Sequence, residues 1–147
     1  MANGHHDLVQ RLFDEVFNQR DFRVLPDLVA KGFVEHAISP FGSEAPGPVD
    51  GPQHMREVVE WLVGQFPDLH MTVDSIVAED DTVAVRGLSV GTNLGPRNGF
   101  IPPTGRRFSA DQSHWYRVDD SQRLAEHWAV RDDLRSMMQL GVVAAGA

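Results

Sequence analysis

Residues 69–92, LHMTVDSIVAEDDTVAVRGLSVGT, decide the fold. Leu69, Met71 and Val73 alternate with polar residues, and the β-branched Val83 and Val85 recur at the same two-residue spacing after the acidic turn Glu79-Asp80-Asp81. Two alternating, β-branched runs around a short polar turn predict an antiparallel hairpin. The longest apolar patterns before this stretch have helical period, so the hairpin marks a switch from mainly helix to sheet.

Upstream, Leu8, Val9, Leu12, Phe13, Val16 and Phe17 recur at helical spacing and predict an amphipathic helix over about Asp7–Gln19. A short second helix is expected over Phe22–Ala30, with Pro26 near its first turn, where proline is tolerated. GFVEHAI (32–38) reads as a brief extended segment, and the Pro/Gly-rich residues 39–52 read as a surface loop. A third helix carries Met55, Val58, Val59, Leu62 and Phe66 on one face and stops before Pro67.

Downstream, the Gly/Pro-rich loop at 91–105 has a length more often functional than merely connecting. RRFSADQSHWYRV (106–118) and RLAEHWAVR (123–131) form a second hairpin around DDSQ (119–122). A final helix is expected from Asp132 to about Leu140, with Gly141 as its C-cap. Helices followed by a run of antiparallel strands specify an α+β domain, a curved sheet with helices on one face. Such a sheet leaves a concave pocket, the default binding site.

The 147 residues fit one domain over 1–147, without repeats or an interdomain linker. There is no cysteine, hence no disulfide framework and no thiolate nucleophile. A formal charge of −8 argues against nucleic acid, since Arg106-Arg107 is too short a basic cluster to bind phosphates. No apolar run of membrane-spanning length occurs, so no membrane association is expected. The opening MANGHHDLVQ lacks both a basic segment and an apolar stretch of the kind a secretory leader carries, and a cytoplasmic location is expected. His5 and His6 read as part of a loose terminus.

GFVEH (32–36), DGPQHMREVVEWLVGQFPDLH (50–70), IPPTGRRFSADQSHWYRV (101–118) and EHWAVRDDLRSMMQLG (126–141) resemble the SnoaL-like polyketide cyclases of the nuclear-transport-factor-like superfamily. The likeness runs from about Asp7 to Val142. It implies a cone-shaped α+β fold: a curved antiparallel or mixed sheet, three N-terminal helices on its concave side and a short C-terminal helix. It also implies a deep, mostly apolar pocket for an aromatic, polyketide-like ligand, no metal and no cofactor, and a homodimer formed through the open face of the sheet. Some family members close a ring by intramolecular aldol condensation, relatives hydroxylate such substrates, and a non-catalytic ligand-binding module is a third possibility.

Alternation along the strands places Gln112, His114 and Tyr116 on one face, and Ala125, His127 and Ala129 on the matching face of the next strand. In the cyclases the pocket face carries the residues matched by Gln112, His114 and His127, then an aspartate that moves the proton. That last position is Ala129 here. His114 is the strongest candidate for binding a carbonyl oxygen or transferring a proton, with a satisfied buried histidine as the alternative. His127 is weighed against orienting a neighbour, and Gln112, a donor to an oxyanion, against simple pocket lining. Tyr116, Ala129, His36 and Trp61 complete the expected substrate contacts.

Glu35 has two readings. Buried, it would carry a raised pKa and replace the missing aspartate as base; the preferred reading is an exposed acid at a strand end. Asp132 is expected to cap the last helix. Trp128 is expected in the core, Leu134, Met137 and Met138 in helix packing, and His54 and His70 at the surface. A zinc site built from His36, His114 and His127 lacks ligand spacing and is not expected.

Overall fold

The architecture is taken from a computed structural model, which describes residues 2–95 and 101–144. The middle of the expected functional loop, residues 96–100, lies outside the described residues. Helix α1 (Ala2–Arg11) continues as a π-helical segment over Leu12–Asn18. The helix starts earlier than the apolar spacing alone predicts, because His5 extends the stripe of Val9 and Leu12 backwards. His5 is accordingly buried in the helix and does not belong to a loose terminus.

A 3₁₀ turn at Phe22–Val24 and the one-turn helix α2 (Leu25–Leu28) replace the expected second helix. Val29 leaves helical geometry at once and opens strand β1 (Val29–Glu35). The short strand β2 (Gly47–Pro48) interrupts the predicted loop. Helix α3 (Gly51–Gln65) starts at Asp50, whose carboxylate accepts the Gln53 backbone N–H.

The two hairpins form as read: β3 (His70–Glu79) with β4 (Thr82–Thr92), and β5 (Arg107–Val118) with β6 (Leu124–Arg131). Helix α4 (Asp133–Leu140) is capped by the Asp132 carboxylate on the Arg135 N–H and ends at Gly141 with φ 78°. The strands make one curved, open sheet in the order β2-β1-β6-β5-β4-β3. All its pairings are antiparallel except β1 with β6, which are parallel and meet at Glu35 opposite His127.

Burial follows the predicted parity. On β5, Phe108, Ala110, His114, Tyr116 and Val118 are buried while Trp115 is 45% exposed. The main core joins Val9, Leu12, Phe13 and Val16 to Val83, Val85 and Val118 across the sheet. A second cluster, Phe66, Leu69, Phe108 and Leu140, lies toward the other end. Trp128 is not in the core: it shares the outer face with Glu126 and Val130, and is 39% exposed. Leu134 is likewise exposed, so only part of the α4 stripe packs.

Candidate active site

A cavity sits between the two clusters, with Phe17, Met55 and Tyr116 from one and Phe66 and Phe108 from the other on its wall. Its internal volume is about 80 Å³. An adjoining cleft of about 470 Å³, lined by Trp61, Pro46 and Glu57, shares Ser39, Pro40, His54 and Val58 with it. The inner cavity is small on its own and is continuous with the larger cleft through these shared residues.

The polar side of the cavity is one continuous hydrogen-bonded chain. His54 Nε2 lies 3.0 Å from Glu35 Oε1, and His127 Nδ1 lies 2.6 Å from Glu35 Oε2. His127 Nε2 meets His114 Nδ1 at 2.9 Å, and His114 Nε2 meets Gln112 Oε1 at 2.9 Å. Three elements supply it: β1 contributes Glu35, α3 contributes His54, and the β5–β6 hairpin contributes the rest. The parallel register Glu35↔His127 brings the carboxylate to the imidazole, and the ladder continues with the His36 N–H donating to the His127 carbonyl at 2.9 Å.

The orientation of Gln112 sets the direction of the chain. Gln112 Oε1 only accepts, so His114 donates to it from Nε2. His114 is neutral, because its full burial, followed by the charges of His127 and Arg131, holds its pKa well below the ordinary imidazole value. Its Nδ1 must then accept from His127 Nε2–H, while His127 Nδ1–H donates to Glu35. In this arrangement His127 donates from both ring nitrogens, to Glu35 and to His114. The Gln112 amide NH₂ is left for a ligand.

Glu35 is 7% exposed, which overturns its reading as an exposed acid. Its parity with the buried Phe33 on β1 was the signal that could have placed it inward. Burial pushes its pKa up, but hydrogen bonds from His127 and then His54 outweigh burial and bring it to about 2. A raised pKa was expected for a buried Glu35; the two imidazole donors reverse that. His54 is likewise not a surface residue, since its side chain is 15% exposed and reaches Glu35 from the flank of the apolar face of α3.

Four further residues complete the comparison with expectation. Tyr116 lines the cavity and stacks on His127 at 4.7 Å, its hydroxyl pKa pushed far up by burial and then by the Glu35 charge. His36 points to the outer face, stacked on Trp128 at 4.7 Å and bonded to Glu126 at 3.0 Å, and does not line the cavity. Trp61 lines the cleft and not the inner cavity. Ala129 pairs across the strands with His114 but is not on the cavity wall. Arg131, two residues on, does line it, held by the Ile38 carbonyl at 2.5 Å and by Asp133 at 3.3 Å. Strand parity already put Arg131 on the His127 face, although no expectation was attached to it. The described residues hold no group of three or more His, Asp or Glu side chains arranged to take a metal ion, and none of their helices is long and apolar enough to cross a membrane.

Residues 7–140 match the family model described as SnoaL-like polyketide cyclase. The chain is 29% identical over 141 residues to the aklanonic acid methyl ester cyclase DauD of Streptomyces sp. (strain C5), covering 92% of this chain and 80% of that protein. It superposes with a TM-score of 0.78 on IdmH, a candidate polyketide cyclase from Streptomyces antibioticus, at 32% identity over 93% of this chain and 98% of IdmH. AclR, a candidate hydroxylase from Streptomyces galilaeus, gives a TM-score of 0.78 at 24% identity over 100% of this chain and 87% of AclR, a likeness of fold.

Proposed function

The chain belongs to the SnoaL-like polyketide cyclase family, and we propose that it closes a ring of an apolar, carbonyl-bearing aromatic polyketide by intramolecular aldol condensation. One observation carries this reading: the chain from Glu35 through His127 and His114 ends in an amide NH₂ that can be offered to a ligand in the cavity. Ring closure needs an enolate, and its oxygen gains negative charge as the C–H bond breaks. Gln112, anchored through its own oxygen, presents N–H donors to that oxygen without having to reorganise. Behind it, the hydrogen bond from His127 polarises His114 and strengthens the donor.

Glu35 anchors the other end of that chain. A carboxylate with a pKa of about 2 is too weak a base to take a carbon-bound proton near neutral pH, so Glu35 positions the imidazoles and takes no proton itself. The ring system lies in the cleft against Trp61, and the arm that reacts enters the inner cavity.

The test is to incubate the protein with aromatic polyketides carrying a β-keto ester side chain, aklanonic acid methyl ester among them, with and without oxygen. Ring closure gives a product in both atmospheres. A product formed only with oxygen would support hydroxylation instead, the reading that the alanine at position 129 favours. Tight binding without conversion in either atmosphere would mark a binding module. His114→Ala removes the anchor that aims the Gln112 donor and is expected to lower turnover by about 10²-fold, approaching the cost of losing an oxyanion donor outright, while the circular dichroism spectrum is kept. Full activity in that variant removes the proposal.

Homodimerisation fits the same reading. Trp115 and Trp128 pair across the outer face of the sheet, at 45% and 39% exposure, beside Val130 at 70%. Trp128→Glu is expected to convert a dimer to a monomer by light scattering, and an unchanged mass would rule that face out.

A further inference from the structure

His54 has one nitrogen that the buried chain does not use. Its Nε2–H donates to Glu35 at 3.0 Å, which fixes the tautomer and leaves Nδ1 as a bare lone pair. Among the described residues no hydrogen bond engages that Nδ1. The ring is held against Phe33, with centroids 6.2 Å apart and planes 29° from parallel. It lies where the inner cavity opens into the cleft and is part of both walls.

The other nitrogens of the cluster are committed. His127 is engaged by Glu35 and His114, and His114 by His127 and Gln112. Glu35 itself is occupied by two donors. A base for carbon acids needs a lone pair directed at the substrate and a partner that stabilises the proton once taken. Of the histidines on the cavity wall, His54 alone keeps a ring nitrogen outside the hydrogen-bonded chain, and its other nitrogen is backed by the Glu35 carboxylate.

We propose that His54 is the catalytic base, taking through Nδ1 the role that the resemblance assigns to an acid at position 129; this rests on the carbonyl-substrate reading above. The C–H bond α to the carbonyl breaks, its electron pair becomes the enolate, and the proton goes to Nδ1. The resulting imidazolium stays bonded to the Glu35 carboxylate. The enolate carbon then forms the new C–C bond with the acceptor carbonyl, whose oxygen takes the proton back from His54. Substrate and product are isomers, and no oxidant or further reactant enters. Charge is balanced within the step: the cation formed on His54 faces the anion formed on the substrate.

The experiment follows exchange of the acidic C–H of methyl benzoylacetate, a small aryl β-keto ester, in D₂O by proton NMR. The intact wild-type chain should accelerate exchange. His54→Ala and His54→Gln should each lose about 10²-fold or more of that acceleration, the usual contribution of a positioned base. The glutamine variant keeps an N–H donor toward Glu35 and so protects the fold. Added imidazole should restore exchange in His54→Ala, where it can occupy the vacated space beside the cleft, and not in His54→Gln; a purely structural role predicts no such rescue. Exchange within threefold of wild type in His54→Gln overturns the proposal. So does the absence of rescue, or of any acceleration by the wild type. Exchange that depends on His54, together with no ring closure of any polyketide tested, overturns the cyclase reading and leaves His54 as the base.

Discussion

Replacing Glu35 with alanine is expected to destabilise the protein by about 3–5 kcal/mol, the usual cost of removing one partner from a buried ion pair. The variant leaves His127 Nδ1 and His54 Nε2 facing an empty space where two carboxylate oxygens accepted them at 2.6 and 3.0 Å. Glu35→Gln should cost far less. A glutamine oxygen still accepts from His54, its NH₂ donates to a neutral His127, and the rest of the chain to Gln112 keeps its direction. Catalysis nevertheless falls in both, because no carboxylate remains to hold a cation on either histidine. The two variants thus separate what the carboxylate does for the fold from what it does for the chemistry.

The same residue makes stability depend on acid. Its pKa is lowered from 4.5 to about 2 in the folded protein, which corresponds to about 3 kcal/mol of stability present above pH 4.5. That contribution is lost as the pH falls from 4.5 toward 2, because the unfolded chain takes up the proton first. Urea unfolding followed across that window should show the wild type approaching Glu35→Gln as the medium becomes more acid. Curves that stay parallel would show that the carboxylate is not held ionised by its two imidazoles.

Gly51→Ala is expected to be the most damaging of the small substitutions. A Cβ there would stand 2.1 Å from the Ala30 carbonyl oxygen and 2.7 Å from both Phe33 Cβ and Val29 Cγ1. The first of these is backbone and cannot turn aside, so α3 must lift away from β1. Overpacking of this kind costs about 3 kcal/mol, which in a domain of this size lowers the melting temperature by roughly 10 °C. The displacement also widens the 3.0 Å contact between His54 on α3 and Glu35 on β1, so activity should fall even where the variant is folded. Gly32→Ala provides the control: nothing lies within 4 Å of its Cβ, and its melting temperature and activity should stay near those of the wild type. Equal effects of the two substitutions would show that the close approach at Gly51 does not hold the site together.

Much of the site was legible because strand parity is a local property. Alternation on β5 put Gln112, His114 and Tyr116 together, and alternation on β6 put Ala125, His127 and Ala129 on the matching face; Gln112, His114, Tyr116 and His127 line the cavity, whereas Ala125 and Ala129 do not. The misplacements have separate causes. Trp128 is expected in the core, yet it lies opposite His127 by parity, on the outer face of the sheet, and that face is exposed. His36 follows Glu35 by one residue and therefore points the opposite way, to Glu126 and Trp128. Glu35 and His54 looked like surface residues because nothing near them in sequence satisfies them; each is the other's partner, 19 residues apart, and His127 is 92 residues from Glu35.

The order of helices and strands, the two hairpins, the Asp132 cap and the inward face of each central strand follow from the amino-acid sequence by itself. Each is set by the 3.6- and 2-residue periods of the backbone and by turn and cap chemistry acting over a few residues. The parallel docking of β1 on β6 and the seating of α3 on β1 at Gly51 belong to the tertiary structure. So does everything that depends on them: the ionised Glu35, the neutral His114 and the unoccupied nitrogen of His54. A pKa and a hydrogen-bond direction are set by whichever charges and donors stand within a few ångströms, and in this cavity those come from opposite ends of the chain.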